Sequence, residues 1–362
     1  MQAKGQRQKV VVAMSGGVDS SVCAAILKDK GFDVFGVTMQ LKDLNDGPGR
    51  FGVGRPEDAK KIADKLQIEH HVFDLRQIFE EKVISYFCRE YQQGRTPNPC
   101  VRCNKYIKFD ILFQKAKELG ADFIATGHYA RIDVDEQSKR YLLKQGSDPL
   151  KEQSYFLYAL SQEQLGHTLL PLGGLTKEEV KKIAREKGLP VAGWESQEIC
   201  FIPEDDYGSF LKNRLPQGAK PGNIVDQEGQ AIGEHQGIIF YTIGQRKGIS
   251  IADKEALYVT QIDSKANMIK VGYKDDVYSN EALVDEVNLI ALGNIEKPIK
   301  AEVKIRYMHP GARSEIFPQG ERRVKIVFEQ PQWALTPGQS AVFYDRETVI
   351  GGGIIKSSTK IS

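Results

Sequence analysis

The sequence predicts an α/β protein: a parallel sheet covered by helices, then a small central α+β domain, then an antiparallel β-barrel at the C-terminal end. Three observations carry that prediction. In the first third, short β-branched runs alternate with amphipathic stretches, the rhythm of a parallel sheet covered on both faces. From about Lys220 the chain becomes Gly-rich, and from about Glu281 apolar runs are separated by Pro and Gly, as in a small antiparallel barrel. At 362 residues the chain also exceeds what one core usually organises, so two or three domains are expected, and the changes of pattern divide it as 1–205, 206–280 and 281–362.

In order, Lys9–Met14, Val34–Met39, Glu69–Leu75 and Asp122–Thr126 read as strands. Between them, Asp19–Lys30 places Val22, Cys23, Ile26 and Leu27 on one helix face and stops at Gly31. Pro56–Leu66 opens with Pro, Glu and Asp, as a helix N-terminus prefers, and Phe79, Val83, Phe87 and Tyr91 recur every four residues. Lys151–Leu165 reads as a helical block. Thr176–Lys187 reads as a helix opened by a Thr176–Glu179 capping box and ended by Gly188-Leu-Pro190. Ala301–Tyr307, Arg323–Glu329, Gln339–Tyr344 and Val349–Ile355 are the barrel strands, and periodicity is weakest over 205–280.

Hydrophobic residues at 41% and charged residues at 27% exclude a disordered chain. With 50 basic against 48 acidic residues there is no global field for a polyanion, so any such contact must be local. One local patch exists: Arg89, Arg95, Arg102, Lys105, Lys108, Lys115 and Lys117 against Glu90 and Asp110. By charge alone it reads equally as a solvated helix face or as an RNA contact. The polar N-terminus leads into only a five-residue apolar run, Val10–Met14, too short for a signal peptide or a membrane span. The chain therefore reads as cytoplasmic, without membrane association. Five cysteines, an odd number, point to metal, redox or catalytic use rather than a disulfide framework.

The sharpest local signal is Ser15-Gly-Gly-Val-Asp-Ser-Ser21, placed after a predicted strand and opening a predicted helix. Glycines let backbone N–H groups face an anion, serines add donors, and the positive helix end favours phosphate; the lysine of a Walker loop is absent. Asp19 offers oxygen to Mg2+, and Met39 ends the second strand, where an adenine pocket would lie. Cys100-Val-Arg-Cys103 follows Thr96-Pro-Asn-Pro99, inside the basic patch, where Arg102 or Lys105 could raise the thiolate fraction. Structural zinc on this pair wants two further ligands, and Cys200 supplies one. Cys23 and Cys88 fall on apolar helix faces and read as core.

The pattern of the Ser15–Ser20 loop resembles the PP-loop of the ATP pyrophosphatases, an adenine nucleotide alpha hydrolase-like fold. Together with Thr96-Pro-Asn-Pro99 and the cysteines, the chain is similar nearly end to end to the bacterial tRNA-specific 2-thiouridylase family. Further matches are Ala125-Thr-Gly-His-Tyr-Ala130, Lys151-Glu-Gln-Ser-Tyr-Phe-Leu157, Ile199-Cys-Phe-Ile202, Tyr241-Thr-Ile-Gly-Gln-Arg-Lys-Gly248 and Thr336-Pro-Gly-Gln-Ser-Ala-Val-Phe-Tyr344. The resemblance implies ATP, taken with Mg2+, bound by Ala13, Met14, Ser15, Gly16, Gly17, Val18, Asp19, Ser20, Met39 and Gly127. It implies that Asn98, Pro99 and Cys100 approach the target base, and that His128, Lys151, Glu152, Gln153, Arg306, Tyr307 and Gln339 contact tRNA. Cys103 corresponds to the nucleophile and Cys200 to the persulfide carrier, loaded by a cysteine desulfurase with sulfur carrier proteins.

The family usually has an Asp where this chain has Cys100. The alternative is a 4Fe–4S cluster on Cys100, Cys103 and Cys200 that takes free sulfide. Two other readings stand beside these. One is another ATP pyrophosphatase using an amine nucleophile, which would have no need of the three cysteines. The other is a non-catalytic RNA-binding protein with a decayed nucleotide loop.

Overall fold

The computed structural model describes residues 7–42, 55–191, 199–202 and 206–359. The chain divides into two compact units, one made of 1–83, 100–203 and 347–349, the other of 84–99, 204–346 and 350–362.

The first unit is the expected parallel α/β layer. β1 (Lys9–Ala13), β2 (Asp33–Gln40), β3 (Glu69–Asp74), β4 (Phe123–Ala125) and β7 (Thr168–Leu169) form one sheet in the order β3-β2-β1-β4-β7, every neighbouring pair parallel. β1 is the middle strand, and Val10, Val11 and Val12 have no exposed surface, as a strand covered on both faces requires. α1 (Val18–Asp29) follows β1 and stops before Gly31, whose φ is +86°. Its buried residues run nearly all round, from Ser20 through Ala25 to Leu27, rather than along one face. One side meets β1 and α2 (Pro56–Leu66) through Cys23, Ala24 and Leu27, and the other meets α8 (Lys177–Glu186) through Val22, Ala25, Val180 and Ala184. α8 begins with the expected capping box: Thr176 Oγ1 accepts from Glu179 N at 3.3 Å and Glu179 Oε2 accepts from Thr176 N at 2.7 Å.

Two expectations change. Phe79, Val83, Phe87 and Tyr91 are all buried, but α3 (Arg76–Phe79) and α4 (Ser85–Gln92) are joined by a π-helical turn over Glu80–Ile84. A repeat of four overshoots the α-helical 3.6, and the wider turn absorbs the excess. Lys151–Leu165 is not a helical block: it holds a 3-10 turn at Ser154–Phe156 and a short α7 (Gln162–Gly166). There the Glu152 side chain takes a backbone donor a helix would use, Oε1 accepting from Ser154 N, and Gln153 turns outward from the segment, its Oε1 accepting from Tyr129 N. A hairpin unread in the sequence, β5 (Ala130–Val134) with β6 (Tyr141–Gln145), lies in the same unit.

In the second unit, α9 (Tyr207–Arg214) accompanies a four-stranded sheet, β10 (Tyr258–Asp263), β11 (Met268–Gly272), β8 (Gly222–Val225) and β9 (Ala231–His235) in that spatial order. This is the expected α+β segment. The barrel runs β12 (Tyr278–Leu289), β15 (Val324–Trp333), β14 (Ala312–Pro318), β13 (Ile299–Lys304), β16 (Ser340–Asp345), β17 (Thr348–Thr359), and β12 pairs with β17 to close it. Closure leaves no open edge, and the interior is filled by Val284, Val303, Ile316, Ile326, Phe328, Phe343 and Ile355.

Candidate active site

The Ser15–Ser20 loop leaves the C-terminal end of β1, where the chain order reverses: β2 and β3 lie to one side of β1, β4 to the other. Ligands of open parallel sheets bind in the crevice outside the strand ends at such a reversal. Gly16 has φ +80°, and a Cβ there would come within 2.9 Å of the Asp58 Cβ. Gly17 is the N-cap of α1 and offers no side chain to it. Hydroxyls tie the loop to the helix: Ser20 Oγ donates to Gly17 O at 3.2 Å and accepts from Ser15 N at 3.1 Å, and Ser21 Oγ donates to Gly17 O at 2.7 Å. Gly127, just beyond β4, closes the other wall of the crevice. A Cβ there would lie 2.9 Å from Asp19 C and 3.0 Å from Ser20 N.

Ala13, Val18 and Met39 are half-buried around this crevice. Met14 is core instead, 2% exposed, its N bonded to Val37 O and its O to the Thr38 hydroxyl, so only its backbone belongs to the loop. Asp19 is already engaged. Lys177 Nζ bonds both carboxylate oxygens at 2.8 Å, and Tyr129 OH donates to Oδ1 at 2.7 Å. Neither partner was visible in the sequence. A lysine at a helix start reads as solvated, and only the packing of α8 on α1 turns it inward.

The cysteines meet in the same unit. Cys100 and Cys103 lie three residues apart on α5 (Pro99–Cys103), Cys100 exposed and Cys103 buried, with Cys200 half-buried. Burial raises the thiol of Cys103 to about 12 and raises that of Cys200 as well, while Cys100 keeps exposed surface. Cys200 acts on both others, so the three share one neighbourhood across a long stretch of chain. Phe201 seats that segment against Phe79, ring centroids 5.9 Å apart.

The opposing positive charge shared by all three thiols is Lys108, joined at Cys200 by Lys42, and not the expected Arg102 or Lys105. Arg102 donates to Lys82 O and covers the Tyr106 ring, where Lys105 also lies. The cause is local geometry: Asn104–Ile111 is π-helical, and in a π-helix the fifth residue on returns to the same face. Buried Asn104 donates to Phe156 O at 3.1 Å, and its Oδ1 has no partner among the described residues. Cys23 and Cys88 are buried, as expected.

Among the described residues no three of His, Cys, Asp and Glu are grouped to hold a metal ion. The cysteines as placed therefore do not fit a 4Fe–4S cluster or the zinc alternative. His128 is buried, its Nδ1 2.7 Å from Thr126 Oγ1, and burial with the nearby Lys108 charge holds its pKa well below 6.5, so the ring is neutral. Glu152 is buried and Gln153 bonds the Tyr129 backbone, while Lys151 is half-buried. No helix of the described residues is long and apolar enough to cross a membrane.

In the second unit the Thr96–Pro99 segment is clamped. Thr96 N donates to Pro337 O at 2.8 Å, Gln339 Nε2 donates to Thr96 O at 2.9 Å, and the Thr96 and Thr242 hydroxyls are 3.0 Å apart. Gln339 thus fixes the backbone beside half-buried Asn98 and buried Pro99. Arg306 is exposed and donates to Trp333 O at 3.3 Å, with half-buried Tyr307 beside it. Of the basic stretch, Arg95 is paired with Glu90 in this unit, and Lys117 with Glu163 in the first.

Three family models cover nearly the whole chain: a tRNA methyl transferase HUP domain matches residues 8–204, a tRNA methyl transferase PRC-barrel domain 208–273, and an aminomethyltransferase beta-barrel domain 279–355. A tRNA-specific 2-thiouridylase MnmA 1 of Caldanaerobacter subterraneus is 49% identical over 97% of this chain and 99% of its own length. A tRNA-specific 2-thiouridylase MnmA of Clostridium acetobutylicum is 46% identical over 96% and 99%. Among solved structures, the U34-tRNA thiolase NcsA of Methanococcus maripaludis with its 4Fe–4S cluster shares 19% identity over 58% of this chain and 64% of its own, at a TM-score of 0.34, a likeness too slight to bear on the site.

Proposed function

The chain belongs to the tRNA-specific 2-thiouridylase family, and on that premise we propose that it uses ATP to replace the 2-oxygen of a wobble uridine in tRNA with sulfur. The observation that supports this most is the conjunction in one unit of a phosphate-type loop at the sheet's reversal point with three thiols gathered from distant positions. The loop amides and Ser15 and Ser20 take the phosphates, Gly127 keeps the crevice open, and magnesium enters with the nucleotide, Asp19 being held by Lys177 and Tyr129 rather than left open as its ligand. The uridine oxygen, a poor leaving group, attacks the α-phosphate, pyrophosphate departs, and the base carries AMP in its place. The terminal sulfur of a Cys200 persulfide attacks the activated carbon and AMP leaves. The Cys103 thiolate then attacks the Cys200 sulfur, releasing 2-thiouridine and leaving a Cys103–Cys200 disulfide for a dithiol reductant.

Burial raises the thiols of Cys103 and Cys200, which disfavours the thiolate, so sulfur transfer awaits bound tRNA, whose ordering of the site would change their surroundings. Lys151, Arg306 and Tyr307 would reach the tRNA, with Asn98, Pro99 and Cys100 beside the extruded base. His128, Glu152, Gln153 and Gln339 would act from behind by holding backbone. A cysteine desulfurase relay is the sulfur source.

The test is nucleoside analysis of an unmodified transcript incubated with protein, ATP, magnesium and a persulfide donor. 2-Thiouridine is expected without iron. Cys200→Ser should still release pyrophosphate while forming none. 2-Thiouridine only after iron reconstitution would overturn the persulfide route, and no 2-thiouridine either with or without iron would overturn the thiolation itself.

A further inference from the structure

The phosphate loop carries no lysine of its own, yet a lysine reaches it from 158 residues away. The Lys177 side chain is 8% exposed and both oxygens of Asp19 lie 2.8 Å from its Nζ. A lysine so buried is tolerated only when paired. Its backbone is pinned as well: Lys177 N donates to Oδ2 of buried Asp148 at 2.9 Å, and the Thr176–Glu179 box fixes the turn before it. Tyr129 completes the arrangement, its hydroxyl on Asp19 and its ring 6.0 Å from Nζ. The fold thus spends three separate contacts on delivering one ammonium to one carboxylate.

Asp19 stands in the first turn of α1, where the helix dipole favours negative charge, but a phosphate brought to the same turn would be repelled by an uncompensated carboxylate. We propose that Lys177 is a positioning residue of the nucleotide site, holding Asp19 clear of the loop amides and neutralising it so that they accept a pyrophosphate group. This rests on reading the loop as an ATP site. It gives the loop, from a distant helix, the charge compensation that a Walker loop carries within itself.

The experiment is calorimetric titration with inorganic pyrophosphate in the absence of divalent cations, with adenosine, and with magnesium ATP. Lys177→Met should bind pyrophosphate at least about tenfold more weakly than the unaltered protein, the effect of losing one charge-assisted bond. Lys177→Arg should retain most of the affinity, and adenosine should bind all of them alike. In a D19N background, Lys177→Met should cost less than about twofold, because there is no carboxylate left to neutralise. That comparison holds even if Lys177→Met alone fails to fold.

Unchanged pyrophosphate affinity in Lys177→Met would overturn the proposal. So would equal losses for adenosine and pyrophosphate, or a tenfold loss in the D19N background, which would make Lys177 a phosphate ligand itself. Failure of the unaltered protein to bind magnesium ATP would overturn the ATP reading and this inference with it.

Discussion

Gly127→Ala adds a single methyl at a close approach in the crevice. Its Cβ would stand 2.9 Å from Asp19 C, 3.0 Å from Asp19 Cβ and 3.0 Å from Ser20 N, where ordinary contact begins at 3.4 Å. All three atoms belong to the first turn of α1, and two are backbone, so no rotamer change relieves the overlap. Gly127 has no left-handed φ, which makes the demand for glycine steric rather than conformational. Overpacking of this kind costs about 1–3 kcal/mol. If α1 stays in place the strain appears as lost stability. If it yields, the loop amides and Asp19 move off their positions and binding suffers by about 5- to 150-fold. Urea denaturation with calorimetric titration of ATP reads both terms. A variant that kept the original stability and the original ATP affinity would refute the reasoning.

Two further outcomes follow from the buried titratable groups. Iodoacetamide labelling of Cys103 in the RNA-free protein should rise about tenfold per pH unit between pH 8 and 10, since the thiolate is the reacting form and burial lifts its pKa to about 12. Its folded value is raised from 9.0, so the stability this thiol contributes is fully present below pH 9 and is lost as pH climbs towards 12; a labelling plateau reached below pH 9 would contradict this. His128 has the opposite sign. Its folded pKa lies well below 6.5, so its contribution is present above pH 6.5 and lost as pH falls through the folded value, and His128→Gln should flatten the fall in stability below pH 6.5. An unchanged acid slope would show that its burial does not set it.

Most of the first unit was legible because its signals are local. β-branched runs, the Gly31 stop, the Pro56 start and the Thr176–Glu179 box each fix conformation within a few residues, and the structure bears them out. The Lys151–Leu165 misreading has a local cause of another kind. Glu152 and Gln153 are good helix formers by propensity, but their side chains bond backbone groups, which composition does not reveal. The electrostatics of the thiols went astray for a similar reason. Arg102 and Lys105 are nearer in sequence, but the π-helical turn carries Lys108 to the cysteines.

By itself the sequence determined the parallel sheet, the closing barrel, the phosphate loop and the family, because these rest on backbone conformations and motifs written in consecutive residues. Only the tertiary structure decided that β1 is the middle strand, with the chain reversing beside it, and that Gly127 faces Asp19 across the crevice. It alone brought Cys200 to Cys100 and Cys103, turned Gln339 onto Thr96 and Lys177 onto Asp19. These are long-range meetings of side chains, fixed by packing between elements, and no periodicity within a segment encodes them.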